Sequence, residues 1–352
     1  ADHVAGILTI LRNVLGIPKL KSHNQGSPSS PPPSSTSNPP KIDIYGPRGL
    51  RRFLRLQLLL THTHSECRYA VHELLAPGES ASVPGHAGRM RNDSMRKDAL
   101  LDNEAPGLDI PCDVDGYWRS IVSENAGLGR VSPGKMVVDA GPIEHRDPCI
   151  GYIFREVPNH PYSPQQTPIP RKLVILGDTY DPSSLVPLIE SPSPAFLPPR
   201  SSIIASSSEP TEDSTIAIDT EEASGVPPFT PVTLLVHEAT DAYIPLSIDS
   251  QERTGRNRSA AIVDAKTRER GHSTPAMAGA FARRIGAERL VLNHIGSRFP
   301  APSHSGRSPA EKFRLACIRE IERQAKHAWA PPFPAQVQAA WDFMRVVIPP
   351  NL

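Results

Sequence analysis

The 352-residue chain is short of cysteine: it has 4, namely Cys67, Cys112, Cys149 and Cys317, widely spaced and forming no C-x-x-C pair. That argues against a disulfide scaffold and for a reduced, intracellular protein. Long apolar runs are missing as well. No stretch approaches the roughly 20 residues needed to span a bilayer, and nothing resembles a secretory signal. Charge of one sign is also lacking, since 38 Lys and Arg stand against 37 Asp and Glu for a formal net charge of +1. Bulk charge therefore names no partner. No internal repeat is evident.

Proline, by contrast, is abundant: 40 of 352 residues, about twice the usual proportion of roughly 5%. Many fall in two segments, 24–40 (NQGSPSSPPPSSTSNPP) and 191–230, rich in Ser, Pro, Thr and Glu. Both have too few apolar side chains to offset the cost of ordering the chain, so both are expected to be disordered insertions. The stretch Gly78 to Asp109 is polar enough to be a third loop. The length allows one large domain or two ordinary ones.

Against this background a pattern repeats. Apolar runs at Met136-Val137-Val138, Leu173 to Leu176, Val232 to Val236 and Leu290-Val291-Leu292 have the length and β-branched content of strands. Each leads into a short polar cassette: GPIEH ending at His145, GDT around Asp178, HEAT at His237 to Thr240, and NHIGSR at Asn293 to Arg298. GHST, at Gly271 to Thr274, lies between the last two. Strand ends hold ligands rigidly, and imidazole with carboxylate is the donor set for a borderline cation such as zinc. Each residue also has a plainer reading. Asp178 fits a helix N-cap before SSLVPLI, and a lone histidine at a strand end is more often structural than a ligand. His237 is read as structural.

His272 has support of its own. Thr274 followed by Pro275 is a strong helix start, so AMAGAFARRI should form a helix ending at Gly286, with a positive amino terminus that suits an anion. The plain alternative makes Ser273 and Thr274 caps and His272 a surface residue.

The order and wording of the cassettes, in the phrases VDAGPIEHRDPCIGY, RKLVILGDTYDPSSLVPLI, LLVHEAT and ERGHSTPAMAGAFARRIGAERLVLNHIGSR, resemble ribonuclease Z, the tRNA 3′-processing endonuclease of the metallo-β-lactamase superfamily. The resemblance implies an α/β fold of the four-layer αβ/βα sandwich type over residues 1–352. It further implies a two-zinc centre. Asp178 would bridge the metals, His145 would serve the first, and Asp2, His3 and His294 would serve the second. Glu238 and His272, together with Asp2, carry the catalytic role in this correspondence, the histidine protonating the departing ribose O3′. Ser273, Ser297 and Arg298 correspond to phosphate contacts. Precursor tRNA is the implied partner, no membrane is involved, and nucleus, mitochondrion or cytoplasm the implied compartment.

The chain also departs from the family. The leading motif H-x-H-x-D-H is represented only by Asp2 and His3, with the helix beginning near Gly6-Ile7-Leu8 behind it. By resemblance the H-x-H pair lies upstream of Ala1, so the fold is expected to be incomplete at its amino terminus. Asn293 and Gly296 replace the Thr and Ser more usual in their loop. Only a proline-rich link stands between Tyr152 and Asp178, where short members carry a tRNA-binding arm, so the chain looks like the carboxy-terminal half of a long form.

Two other features bear on RNA and metal. THTHSEC at Thr61 to Cys67 contains an H-x-H, but has Glu66 in place of Asp and no following His, and is read as a decoy. Arg48, Arg51, Arg52 and Arg55 are spaced to share one helical face, an arrangement open to RNA phosphates or simply to solvent. The leading function is zinc-dependent removal of 3′ trailers from precursor tRNA. The rivals are an inactive remnant lacking the H-x-H ligands and a related phosphodiesterase of the same fold. With only His145 and Asp178 left for the first metal, and three or four protein ligands usually needed, the purified chain is expected to hold one zinc or none. Elemental analysis giving a stoichiometry near two would contradict this.

Overall fold

Leucines at positions 50, 54 and 58, one helical turn apart, are the buried stripe of the helix that anchors the amino-terminal part of the chain. The computed structural model describes residues 6–16, 39–81, 100–122, 135–157, 170–191, 231–302 and 308–349. The described residues fall into two compact units, divided after Ile121. Both are mixed α/β, as expected. The expected insertions at 24–40 and 191–230 lie almost entirely outside the described residues.

The first unit contains α1 (Ile7–Leu15), β1 (Ile42–Pro47), α2 (Leu50–Leu60), β2 (Tyr69–Leu75), β3 (Glu104–Ala105), β4 (Asp109–Pro111) and β5 (Trp118–Val122). α1 confirms the helix expected after Gly6. β2 pairs in parallel with β1, β3 and β4. Leu11 and Leu15 of α1 join Leu50, Leu54, Leu58, Tyr69 and Val71 in one core.

Two of the four arginines in the stripe, Arg51 and Arg55, turn inward, while Arg48 and Arg52 are exposed. Arg48 precedes the helix, which begins at Leu50 after Gly49 at φ +95°. Arg51 turns inward, donating to the Val71 carbonyl at 3.1 Å and pairing with Asp109 at 2.8 Å. Arg55 Nε meets both oxygens of Glu104, at 2.9 and 2.8 Å. Helical spacing places Arg51 and Arg55 on a common side, but not all four arginines, and that side holds the carboxylates of β3 and β4, whose burial requires cationic partners.

The second unit contains β6 (Lys135–Ile143), β7 (Cys149–Val157), β8 (Lys172–Leu176), a 3₁₀ turn at Ser183–Leu185, α3 (Val186–Glu190), β9 (Leu234–Glu238), α4 (Ala260–Glu269), α5 (Pro275–Arg284), β10 (Leu290–Asn293), α6 (Pro309–Trp329) and β11 (Val337–Ala339). Its strands lie in the order β11-β10-β9-β8-β7-β6. β6 and β7 form an antiparallel pair, β7 is antiparallel to β8, and β8 to β11 are mutually parallel. β6 therefore runs in the same direction as β8, β9 and β10. All four strands that lead into cassettes end at one rim, the edge where ligands bind in α/β sheets.

Packing fixes this rim. Leu235 and Leu292 are fully buried, as central parallel strands demand. α5 lies so close to α6 that a Cβ on Gly279 would sit 2.1 Å from the Ala325 carbonyl oxygen. Away from the rim, Arg155 pairs with Asp139 at 2.9 Å, and Lys172 Nζ donates to the Ile189 carbonyl at 2.8 Å. Burial, helped by the Arg155 guanidinium, pushes the Lys172 pKa down to about 7.

The Arg55–Glu104 pair gives a direct test of the corrected stripe. The Glu104 side chain is 1% exposed, so Arg55→Ala would strand a buried charge and cost about 3–5 kcal/mol of unfolding free energy in urea denaturation. The exposed Arg52, changed to Ala, is expected to stay within about 0.5 kcal/mol of the parent. Equal effects would refute the assignment.

Candidate active site

Strand direction brings the cassettes together, and backbone hydrogen bonds lace them. Glu144, in GPIEH, donates to the Asp181 carbonyl at 3.1 Å, and its own carbonyl accepts from Tyr180 N at 3.0 Å. Thr240 N donates to the Ser273 carbonyl at 2.9 Å, while Gly296 N donates to the Thr240 carbonyl at 3.0 Å. Two glycines allow the close approaches. A Cβ on Gly296 would lie 2.6 Å from the Thr240 carbonyl oxygen; one on Gly271, at φ +85°, would lie 2.8 Å from His145 Cδ2. His294 adopts φ +50°, a strained conformation for a side chain with a Cβ and one that gathers at functional sites.

Glu238, the last residue of β9, stands at the centre with its side chain 1% exposed. It accepts from Thr179 N at 2.5 Å and from the Thr240 hydroxyl in a very short bond. His272 Nδ1 lies 3.2 and 3.1 Å from its two oxygens. Burial acts to raise the Glu238 pKa, but the nearby His294 and the bonds from Thr240 and Thr179 outweigh it and hold the carboxyl below its ordinary value. Glu238 is therefore an anion. An anionic carboxylate only accepts, so His272 Nδ1 is the donor, and Nε2 is left as the atom that can give or take a proton.

The same logic fixes His294. Its Nδ1 lies 2.8 Å from the Thr240 oxygen and 3.4 Å from Asp178 Oδ1. The Thr240 hydrogen is committed to Glu238. The Thr240 oxygen must then accept from His294 Nδ1–H, and in the neutral ring the lone pair sits on Nε2. Asp178, Glu238, His272 and His294 offer ligand atoms all within 4.8 Å of one another. The His272 ring lies 5.2 Å, centroid to centroid, from both His145 and His294.

The structure thus unites Asp178, Glu238, His272 and His294, with His145 alongside. Asp2 and His3 lie outside the described residues, so their place at the site stays an expectation. Ser273 is corrected: it is fully buried and its hydroxyl donates to the Thr179 carbonyl at 2.6 Å, which makes it a brace between cassettes instead of a phosphate contact. Ser297 is exposed. Arg298 is half-exposed and held by the Thr254 carbonyl at 2.5 Å, with Asp241 at 3.8 Å. The carboxyl of Asp178 is not a helix cap: the 3₁₀ turn and α3, with Pro182 and Leu185 at their N-cap positions, have no side-chain cap, and Asp181 Oδ1 accepts from Ser183 N at 2.9 Å. Among the described residues the H-x-H of Thr61 to Cys67 joins no metal-capable group.

His237 points away from the cluster, as expected of a structural residue. It is fully buried, its Nδ1 lies 2.9 Å from the Glu238 carbonyl, and burial lowers its pKa, keeping the ring neutral. Thr240 and Thr179 were not singled out from the sequence. Their signal was present, since a hydroxyl in each cassette lies within two residues of an acidic one.

No protein-family model matches the chain. Zinc phosphodiesterase ELAC protein 1 of Mus musculus is 26% identical over 323 residues, which cover 88% of this chain and 74% of that protein. The Homo sapiens protein of the same name is 26% identical over 334 residues with the same coverage. The chain is thus similar in sequence to the zinc phosphodiesterases named ELAC protein 1. Among solved structures, human tRNase Z, short form (ELAC1), aligns with a TM-score of 0.42 and 23% identity over 90% of this chain and 70% of that one. The metallo-β-lactamase fold protein YhfI from Bacillus subtilis aligns with a TM-score of 0.31 and 12% identity, over 83% and 68%.

The donor set fits a metal such as the zinc in those relatives' name. Carboxylate and imidazole donors converge from three strand ends and from the loop before α5, and the His145 Nε2 beside them is buried without a hydrogen-bond partner. Thr240 would act on the metal through His294, whose tautomer it sets. Thr240→Val is expected to weaken zinc binding about 10–100-fold, the usual cost of losing a ligand's hydrogen-bond partner, in competition with a chromogenic chelator. Thr240→Ser should keep near-parental affinity. Unchanged affinity in the valine variant would show that the hydroxyl does not orient His294.

Proposed function

We propose that the protein is a metal-dependent phosphodiesterase that cuts RNA, removing 3′ trailers from precursor tRNA. The observation that carries this reading is the Glu238–His272 dyad set against the Asp178–His294 pair: His272 Nδ1 lies 3.1 Å from Glu238 and 3.9 Å from Asp178. A proton-transfer group and a set of cation ligands thus share one small site. The ELAC protein 1 relatives, named as zinc phosphodiesterases, support the reaction class, and the resemblance of the cassettes to ribonuclease Z supports the tRNA substrate.

Asp178 and His294, with His145 near by, are the residues that would hold the metal. When bound, a zinc there supplies a Lewis acid for the phosphoryl oxygen and makes water a nucleophile near neutral pH. The protein's own part is the proton. As hydroxide adds to phosphorus and the bond to the tRNA O3′ breaks, the leaving oxygen gains an electron pair and needs a proton. His272 Nε2 delivers it. Glu238, locked by Thr179 N and Thr240, fixes the orientation of the ring for the transfer. The products are a tRNA ending in a 3′-hydroxyl and a trailer with a 5′-phosphate.

The test is cleavage of a 3′-extended precursor tRNA by the zinc-loaded chain, with both new ends identified. His272→Ala is expected to reduce the rate about 10²–10⁴-fold, the typical worth of a positioned acid. Hydrolysis of a simple aryl phosphodiester without cleavage of the precursor would favour a related phosphodiesterase. Inertness toward both would mark a non-catalytic remnant.

A further inference from the structure

A cavity of about 450 Å³ lies behind the catalytic cassettes, between the turn at Tyr180, α4 and α5, within the range of small-ligand sites, roughly 300–1,000 Å³. His237 lines it. Its Nδ1–H donates to the Glu238 carbonyl at 2.9 Å, so in the neutral ring Nε2 is an acceptor, and this atom is buried with no hydrogen-bond partner. Buried acceptors of this kind are rare and call for a donor. The neighbouring hydroxyl cannot serve, because Ser273 Oγ is given to Thr179. A ligand meeting this need must bring an N–H or O–H to the inner wall.

The rest of the cavity narrows the choice. Tyr180 and Phe281 add aromatic surface, with the Phe281 ring 5.9 Å from that of His237. Arg268 and Arg284 also line the cavity, and both are exposed. Asp264 offsets the charge of Arg268 at 3.4 Å, whereas Arg284 has no ion-pair partner among the described residues. A flat group with a donor edge, joined to an anion, matches donor-seeking interior, aromatic wall and cationic rim. We propose that this cavity is a nucleotide subsite, with the amino or imino edge of a base toward His237 and its phosphate toward Arg284 and Arg268. The nucleotide is either free or an unpaired residue of a bound RNA; the second source rests on the function proposed above.

The cavity shares elements with the catalytic site on its other side. His237 adjoins Glu238 in β9, and Ser273 adjoins His272, so an occupant would press on the backbone that carries the dyad. The experiment is calorimetric titration of the full chain with AMP, CMP, GMP, UMP and inorganic phosphate. Ala280→Trp, at an exposed position on α5 that lines the cavity, fills the space; Arg284→Ser removes the free cation and, being at the surface, tests the idea if the tryptophan variant fails to fold. At least one nucleotide is expected to bind, and either change to weaken it about tenfold or more, a difference well within what calorimetry separates. Free nucleotides failing to bind while Ala280→Trp or Arg284→Ser raises KM for the precursor about tenfold at unchanged kcat would assign the site to RNA. The proposal is overturned if inorganic phosphate binds as tightly as the nucleotides, or if both variants leave nucleotide binding and KM as in the parent. A wild-type chain that binds nucleotides but cuts no RNA would sink the proposed function and leave the subsite standing.

Discussion

A carboxylate 1% exposed at the end of a central strand is the constraint around which this site is built. Moving such a charge out of water costs far more than any one contact returns, so Glu238 is tolerable only with its oxygens fully engaged. Its donors come from three stretches of chain: Thr179 N after β8, Thr240 two residues beyond β9, and His272 before α5. None of them can be local to a single element. Satisfying Glu238 therefore requires β8 and β9 to be adjacent and parallel, and α5 to start at the same rim. The geometry of the site and the correct assembly of this unit are then one requirement.

The glycines express the same constraint in the backbone. Gly271 and Gly296 stand where an added Cβ would meet His145 and the Thr240 carbonyl respectively. The loops approach until carbonyl and amide meet directly, and no side chain fits between them. The family resemblance makes Gly296 a departure, since a serine is more usual there. In this chain its close contact with Thr240 gives the departure a physical sense: the backbone, not a side chain, fills the space next to His294.

Much of this could be read from the sequence, because a buried parallel strand announces itself as an apolar run and its functional end as a polar cassette. The strands containing Val138, Val174, Val236 and Leu292 were placed correctly, and so was the helix capped by Thr274. What could not be read is what a face meets. Arg51 and Arg55 were correctly put on one side of a helix, yet helical period carries no information about Glu104 and Asp109, dozens of residues away. Ser273 fails for a related reason. A serine between a candidate catalytic histidine and a helix start looks like a phosphate contact, and only the fold shows that the Thr179 carbonyl occupies its hydroxyl. Asp2 and His3 rest on the resemblance alone.

The direction of each hydrogen bond settles which atoms remain for chemistry. Glu238 can only accept, so it turns His272 into a ring whose Nε2 is free to move a proton. The same carboxylate takes the Thr240 hydrogen, and Thr240, left with only a lone pair to offer, takes the proton on His294 Nδ1. His294 is thereby left with Nε2 as an electron-pair donor, the form a cation needs. Two histidines with similar surroundings receive different tasks from one buried charge, one by direct contact and the other through a hydroxyl. Replacing Glu238 by its amide would break both assignments together, because an amide can donate as well as accept and no longer dictates the direction of either chain.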